Sequence, residues 1–357
     1  MIHHRDWLRL ALAPGVGPVL WGRLMRGELD ADVRDELLEK ARHAVPDARL
    51  ESLRITCARL EADLLTPASA QWPDALRALE DPPAALFRRG DAALAARPQI
   101  AVVGARRASR RALDDAAWIV RDLVSAGLVV TSGLALGVDG AAHRTALDAG
   151  GPTIAVLGSG LDRVYPARHR GLAERIAREG LLLSEFLPGT PALPHHFPRR
   201  NRLVSGLGLG VVVVEAGARS GSMITARLAA QQGREVFALP STARDVRAAG
   251  NLRLLREGAV LVRDASDILS ELGLEPPVAN EGGRTKEPIA EPDAAGAVVL
   301  DAMAPEGSDF ATLVVRTGLD AAELAVRITE LELDGFLERD GDRLHRRLSG
   351  AASGPPP

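Results

Sequence analysis

The sequence predicts an α/β protein: an extended Rossmann-like, doubly wound parallel sheet, preceded by a helical domain and followed by a winged helix. Three observations carry this. Short apolar runs such as Ile100-Ala101-Val102-Val103 and Val211-Val212-Val213-Val214 alternate with helical stretches of ten or more residues, the pattern of parallel strands buried on both faces. The strand ends are mostly glycine, serine or other small residues. Finally, 357 residues allow two or three domains at roughly 150 residues each.

Taken in order, residues 8–26 read as two short helices around Pro14-Gly15-Val16-Gly17-Pro18, and helical patterning continues to about Leu60. Residues 1–60 are thus expected to form a small helical domain of SAM-like or helix-hairpin-helix type. From Leu64, Pro67, Pro73, Pro82 and Pro83 punctuate the chain up to an expected edge strand at 84–90. The Rossmann-like domain is assigned to 61–272. Its strands are read at 100–104, 128–131, 153–157, 181–185, 211–215 and 235–239, with helices at 112–126, up to 149, up to 179, up to 232 and at 252–257. Residues 273–294 have the composition of a linker, rich in Gly, Pro, Glu, Asn and Thr without periodicity. Beyond it, helices at 294–303, 310–317 and 321–333 and two strands across Asp340-Gly341-Asp342 read as a winged helix at 295–348. Residues 349–357 are expected to be a disordered tail.

Composition excludes several classes. Hydrophobic content of 46% and charged content of 25% are those of a soluble globular protein. No apolar run approaches the roughly 20 residues of a membrane helix, and the first residues lack a signal-peptide pattern, so a cytoplasmic protein without membrane contact is expected. Cys57 is the only cysteine, which rules out an intrachain disulfide framework and a cysteine-rich zinc site; it reads as a small buried hydrophobe. A net charge of −3 requires any basic surface to be local, and 3% aromatic residues leave few stacking platforms. His143, His169, His195 and His196 lack metal-ligand spacing and accompany no G-x-S-x-G elbow, so they are expected on the surface.

One stretch concentrates positive charge. Phe197-Pro198-Arg199-Arg200-Asn201-Arg202 puts three arginines and an amide where a loop turns into a helix, with Pro194 and Pro198 holding the approach extended. At the carboxyl edge of a parallel sheet such a helix start offers free N–H groups to anions. Only Lys40 and Lys286 are lysine, so arginine-rich loops can also reflect codon bias. The loops decide for an anion site: Gly104-Ala105-Arg106, Ser132-Gly133, Gly158-Ser159-Gly160 and Ser220-Gly221-Ser222 let a phosphate approach backbone amides, and Arg106, Arg107, Arg110 and Arg111 follow the first strand. The first turn lacks the later glycines of G-x-G-x-x-G, and its arginines would crowd a pyrophosphate. Neither a bound NAD or FAD cofactor nor a metal is expected.

The chain resembles the DNA-processing protein A family (DprA, or Smf). The resemblance rests on IAVVGARRAS at 100–109, TSGLALGVDGAAH at 131–143, TIAVLGSGLDRVYP at 153–166, LLSEF at 182–186, FPRRNRLVSGLG at 197–208, VVVEAGARSGSMITA at 212–226 and VFALP at 236–240. Together these cover residues 64 to about 262 in order. The resemblance implies single-stranded DNA binding, homodimerisation, and loading of the recombinase RecA onto DNA during natural transformation, without enzymatic activity. By position it points to Arg106, Arg107, Ser132, Gly133, Phe197, Arg199, Arg200, Asn201, Arg202, Ser220 and Ser222 as DNA contacts. Two departures, Pro240-Ser241-Thr242 and Ala249-Gly250-Asn251, where the family usually has a glycine and a serine, leave the 241–251 loop open. The alternative is a nucleoside-monophosphate-cleaving hydrolase of related fold using Glu215 and Arg219, although the P-G-G-x-G-T-x-x-E run of those enzymes is missing. Leu252, Leu254, Leu255, Val260 and Leu261 are the expected apolar surface for a dimer. The third winged-helix helix is too acidic to lie against DNA: Asp320, Glu323, Glu330, Glu332 and Asp334 outnumber Arg327.

Overall fold

The structure, a computed structural model, describes residues 2–274, 293–304, 307–334 and 336–346. Most of the expected linker at 273–294 and all of the expected tail at 349–357 lie outside the described residues. Contacts divide the chain into two units, Met1–Val278 and Ala279–Pro357.

The first unit opens with α1 (His4–Leu12), α2 (Pro18–Met25), α3 (Ala31–Ala44) and α4 (Asp47–Arg59). Pro18 occupies the first position of α2, where its missing N–H forfeits no intrahelical bond. Trp7, Leu10, Trp21, Leu24, Leu38 and Ala41 form a core that includes Ala84 and Ala85, so the helices pack on the segment leading into the sheet.

Next come β1 (Asp63–Leu65), β2 (Leu86–Gly90), β3 (Gln99–Val103), α5 (Arg110–Ser125), β4 (Val129–Ser132), α6 (Val138–Asp148) and β5 (Thr153–Leu157). The chain continues through α7 (Arg170–Glu179), β6 (Leu181–Ser184), α8 (His196–Leu207), β7 (Gly210–Val213), α9 (Gly221–Gln231) and β8 (Glu235–Ala238). It closes with α10 (Ala249–Arg256), β9 (Val260–Leu261) and α11 (Ala265–Glu271). The nine strands lie in the order β1-β2-β6-β5-β4-β3-β7-β8-β9. β3 to β9 are parallel, whereas β2 runs antiparallel to β6 and β1 antiparallel to β2. The strand read as an edge is therefore one place inside it, because three residues, Asp63 to Leu65, suffice to pair with Leu86 to Arg88 although they are too few to register as a strand in sequence.

Alternation along the strands supplies both cores. Ile100 and Val102 face Ala116, Ile119 and Leu123 of α5 and Ile268 of α11; Ala101 and Val103 face Leu203 and Leu207 of α8 and Met223 of α9. α5 forms because Ser109 caps it, accepting from Ala112 N at 3.1 Å, and because its buried residues recur at helical spacing. The chain moves outward from β3 to β6 and then returns through α8 to place β7 on the other side of β3. That reversal is the topological switch point, where the carboxyl ends of β3 and β7 part.

Several expectations need correction. α8 begins at His196 and takes in Pro198, which sits in the first turn where N–H groups have no helical partner anyway. His143, His169 and His196 are buried and only His195 of the four is exposed. His143 Nδ1 lies 2.7 Å from Thr153 Oγ1 and His169 Nδ1 lies 2.9 Å from Leu134 O, so each ring has a partner that lets it sit inside. Leu254 is in the core, leaving Leu261, 49% exposed, as the most open of the apolar residues expected at a dimer surface. The 241–251 loop ends on a buried Asn251, whose Nδ2 donates to Val213 O at 2.9 Å and Leu239 O at 3.1 Å and whose Oδ1 accepts from Ala216 N at 2.7 Å. Cys57 is buried, and burial pushes its thiol up to about 11.

The second unit holds α12 (Ala294–Asp301), β10 (Ser308–Asp309), α13 (Phe310–Thr317), α14 (Ala321–Leu333), β11 (Leu337–Asp340) and β12 (Arg343–Arg346). β10 pairs with β12, completing a small sheet in the order β10-β12-β11. Asp293, Asp309 and Asp320 cap the three helices through their carboxylates, and Val299, Leu313, Leu324, Ile328, Leu337 and Leu344 form the core of a winged helix. Among the described residues no helix is long and apolar enough to cross a membrane.

Candidate anion-binding cavity

At the switch point a cavity of about 730 Å³ opens between the carboxyl ends of the strands. Gly104 and Arg106 wall it after β3, Gly133 after β4, Arg219, Ser220 and Ser222 around the start of α9, and Phe197, Arg200 and Asn201 from α8.

Each wall is fixed locally. Ala105 N donates to Glu215 O at 2.6 Å, and Ser109 donates to the Glu215 carboxylate through its N–H at 3.0 Å and its hydroxyl at 2.6 Å. This clamp binds the first turn to the end of β7 and holds Arg106, which is exposed, at the cavity. Ser220 caps α9, and Ser222 Oγ donates to Gly104 O at 2.8 Å, drawing the start of α9 against β3. A helix start carries unpaired N–H groups and a partial positive charge of roughly half a unit.

Arg200 is the buried member. It is 4% exposed, its Nη1 donates to Val156 O at 2.9 Å, and its Nε has no hydrogen-bond partner among the described residues. Its guanidinium lies so close to Gly133 that a β-carbon there would collide with it, so a larger residue at 133 would have to displace Arg200. Burial pulls the guanidinium down to about 10, Asp139 opposes this and Arg106 adds to it; the group remains charged near neutral pH. Asp139 accepts from Gly133 N at 3.1 Å and Ala135 N at 3.3 Å, and burial raises its carboxyl against the pull of Arg200. Beside them, the Arg106 and Arg200 guanidiniums lie 5.2 Å and 6.0 Å from the centre of the Phe197 ring.

The three arginines read as one cluster do not act as one. Residues three apart share a helix face, whereas the next residue along is turned by about 100°. Arg199 and Arg202 accordingly turn to Glu185, with Arg199 Nη2 at 2.9 Å and Arg202 Nη2 at 2.8 Å from its Oε1. The side chains of Arg202 and Glu185 are each 4% exposed, and Arg202 Nε lies 3.0 Å from Asp81. Arg202 is thus a buried strut, a correction to its reading as a phosphate contact. Ser132 is also buried, donating to Val102 O at 2.6 Å, and Arg107 is exposed on the first turn; neither lines the cavity. Of the sequence-predicted residues the cavity brings together Arg106, Gly133, Phe197, Arg200, Asn201, Ser220 and Ser222. Asp139 and Tyr165, which also line it, were missed, and Arg219 was considered only for an enzyme. Tyr165 had a signal, being the only tyrosine of the chain.

The arrangement can hold an anion. Two exposed arginines, one buried arginine and a helix start converge, and the carboxylate among them is engaged by backbone amides.

Residues 63–273 match the family described as DNA recombination-mediator protein A, and residues 283–343 match the DprA winged helix domain. The Protein Smf of Escherichia coli is 39% identical over 76% of this chain and 74% of its own length. The DNA processing protein DprA of Streptococcus pneumoniae is 44% identical over 56% of this chain and 71% of its own. The X-ray structure of that protein superposes with a TM-score of 0.67 at 34% identity, covering 76% of this chain and 99% of the other. DNA processing protein A of Helicobacter pylori, whose single-stranded DNA binding mode has been described structurally, gives 0.54 at 33% identity over 59% of this chain and 95% of its own.

Proposed function

This chain belongs to the DNA recombination-mediator protein A family, and from that premise we propose that it is a single-stranded DNA-binding mediator which protects incoming DNA and loads the recombinase RecA during natural transformation. It works in the cytoplasm as a homodimer and by binding, not by catalysis. The observation that carries the reading is the convergence of Arg106, Arg200, Arg219 and the start of α9 on one cavity at the switch point. Phosphates of a single strand enter there, met by guanidiniums and by backbone N–H groups. Ser220, Ser222, Asn201, Phe197 and Gly133 shape the path, while Arg107 extends the positive charge beyond the mouth. Arg199, its side chain 43% exposed, is turned to Glu185 and does not line the cavity. Glu215, the carboxylate that a hydrolase of this fold would need, is occupied by Ser109, which favours the binding role.

The test is a salt titration of binding to single-stranded oligonucleotides. Three or four neutralised phosphates give a log–log slope of about −2 to −3, from roughly −0.7 per phosphate. Arg106→Ala with Arg219→Ala, both exposed and so harmless to the fold, should flatten that slope by about 1.4. Unchanged affinity and slope in the double variant would refute the site. Loading of RecA is checked by whether the protein speeds RecA filament growth on strands precoated with a single-strand-binding protein.

A further inference from the structure

In the winged helix, α14 turns apolar residues to two opposite sides. Leu324, Ile328 and Leu331 face inward and are buried in the core of that unit. On the other side Ala322, Val326, Thr329 and Leu333 follow one another at the spacing of a coiled-coil seam, and all four are exposed, Val326 by 56% and Leu333 by 83%. The Thr329 hydroxyl donates to Ala325 O at 2.9 Å, so its proton is used within the helix. The stripe runs about 16 Å, or three turns, at 1.5 Å per residue. A helix that is apolar all round is ordinarily buried all round, and this one is buried on one side.

We infer that this stripe is a docking face for an amphipathic helix of another protein, one whose apolar seam is flanked by lysine or arginine. Charge selects that occupant. The positions beside a helical seam choose the partner, and here Glu323 and Glu330 flank one edge of the stripe and Glu332 the other. Between Asp320 and Asp334 the single basic residue is Arg327, and its Nη1 already lies 3.0 Å from Asp293 and 3.0 Å from Glu330. Two copies of α14 laid seam to seam would set carboxylate against carboxylate, which is costly in an interface. A nucleic acid would meet the same charge with its phosphates, and at Ala322, Val326 and Leu333 no side-chain donor or acceptor for a base edge. An anionic lipid surface is repelled as well. A basic helix gains on both counts: its seam covers the stripe and its flanking cations meet the three glutamates.

The experiment titrates the full-length protein into two fluorescent synthetic peptides of about three heptads each, both with leucine along the seam, one with lysine and one with glutamate beside it. By anisotropy the lysine peptide should bind at least about tenfold tighter than the glutamate peptide, and its affinity should fall with salt. Val326→Ser with Leu333→Ser changes no charge and should weaken the lysine peptide about tenfold. Val19→Ser, at a 62% exposed position of α2, should leave its affinity within about twofold. Glu323→Gln with Glu330→Gln keeps the seam and should weaken binding about fivefold with a flatter salt dependence, a readout that stands even where the serine pair folds poorly. Unchanged affinity in both double variants, equal affinity for the two peptides, or no binding at about 0.1 mM would overturn the inference. So would a serine pair that turns a dimer into a monomer in light scattering, which would seat a second copy on the stripe, or one that loses oligonucleotide binding, which would seat nucleic acid there. The single-strand-binding role stands or falls separately, on the titration with oligonucleotides.

Discussion

Replacing Arg202 with alanine should damage the fold and spare the DNA site. The side chains of Arg202 and Glu185 are each 4% exposed and joined at 2.8 Å, so removing the arginine leaves a carboxylate in the interior. Breaking a buried pair by deleting one partner costs about 3–5 kcal/mol. Arg199 stays on Glu185 at 2.9 Å and offsets part of this, which puts the loss near the lower end, about 3 kcal/mol. The Asp81 contact adds little: its carboxylate is 45% exposed, and the ion pair at 3.0 Å is out of hydrogen-bond alignment. For a unit of this size each kcal/mol shifts the melting temperature by roughly 2–4 °C, so calorimetry should show a drop of about 6–12 °C. Removing Glu185 as well should recover part of it, since the stranded charge goes too. At 20 °C, salt-dependent binding of single strands should match the parent, because Arg202 does not line the cavity. A variant melting within about 2 °C of the parent, or one whose salt slope flattens as in Arg106→Ala, would refute the assignment of Arg202 as a strut.

Three further outcomes are expected. His143 is fully buried and its folded value is held near 3 by burial, with smaller contributions from His169, Arg200 and Arg144, against 6.5 unfolded. The unfolded chain therefore binds the extra proton first, and stability falls as pH drops from about 6.5 toward 3, by up to about 1.4 kcal/mol per unit; urea melts of the parent and of His143→Gln should converge toward acid pH, and parallel curves would exclude this contribution. A truncation ending at Pro292 should keep single-strand affinity within about tenfold, because the one arginine of α14, Arg327, is paired with Asp293 and Glu330 at 3.0 Å and leaves that helix acidic; a larger loss in gel shifts would give the winged helix a DNA contact. Light scattering at micromolar concentration should show a dimer, and Leu261→Asp on the exposed edge strand β9 should shift it toward monomer, whereas a parent that is monomeric throughout would refute dimerisation.

The sequence by itself determined the elements that depend on local order. Continuous apolar runs such as 100–103 and 211–214 are strands because both faces are buried, and Ser109, Ser220 and Asp320 start helices because a short oxygen side chain reaches the first free N–H groups. Small residues at the strand ends marked the cavity before any coordinate did, since backbone can meet a ligand only where side chains are absent. What only the tertiary structure decided is how neighbours in sequence divide their labour. Arg199, Arg200 and Arg202 look alike in a string, yet the turn of α8 sends one beneath the cavity against Gly133 and Asp139 and two toward Glu185. His143 and His169, expected outside, are inside because a hydroxyl of the following strand and a carbonyl of an earlier loop meet them. Tyr165 and Asp139 join Arg106 only through the order of β3, β4 and β5 in the sheet, a contact between residues tens of positions apart. Periodicity reports which face a residue turns inward; it carries no record of which other segment waits there.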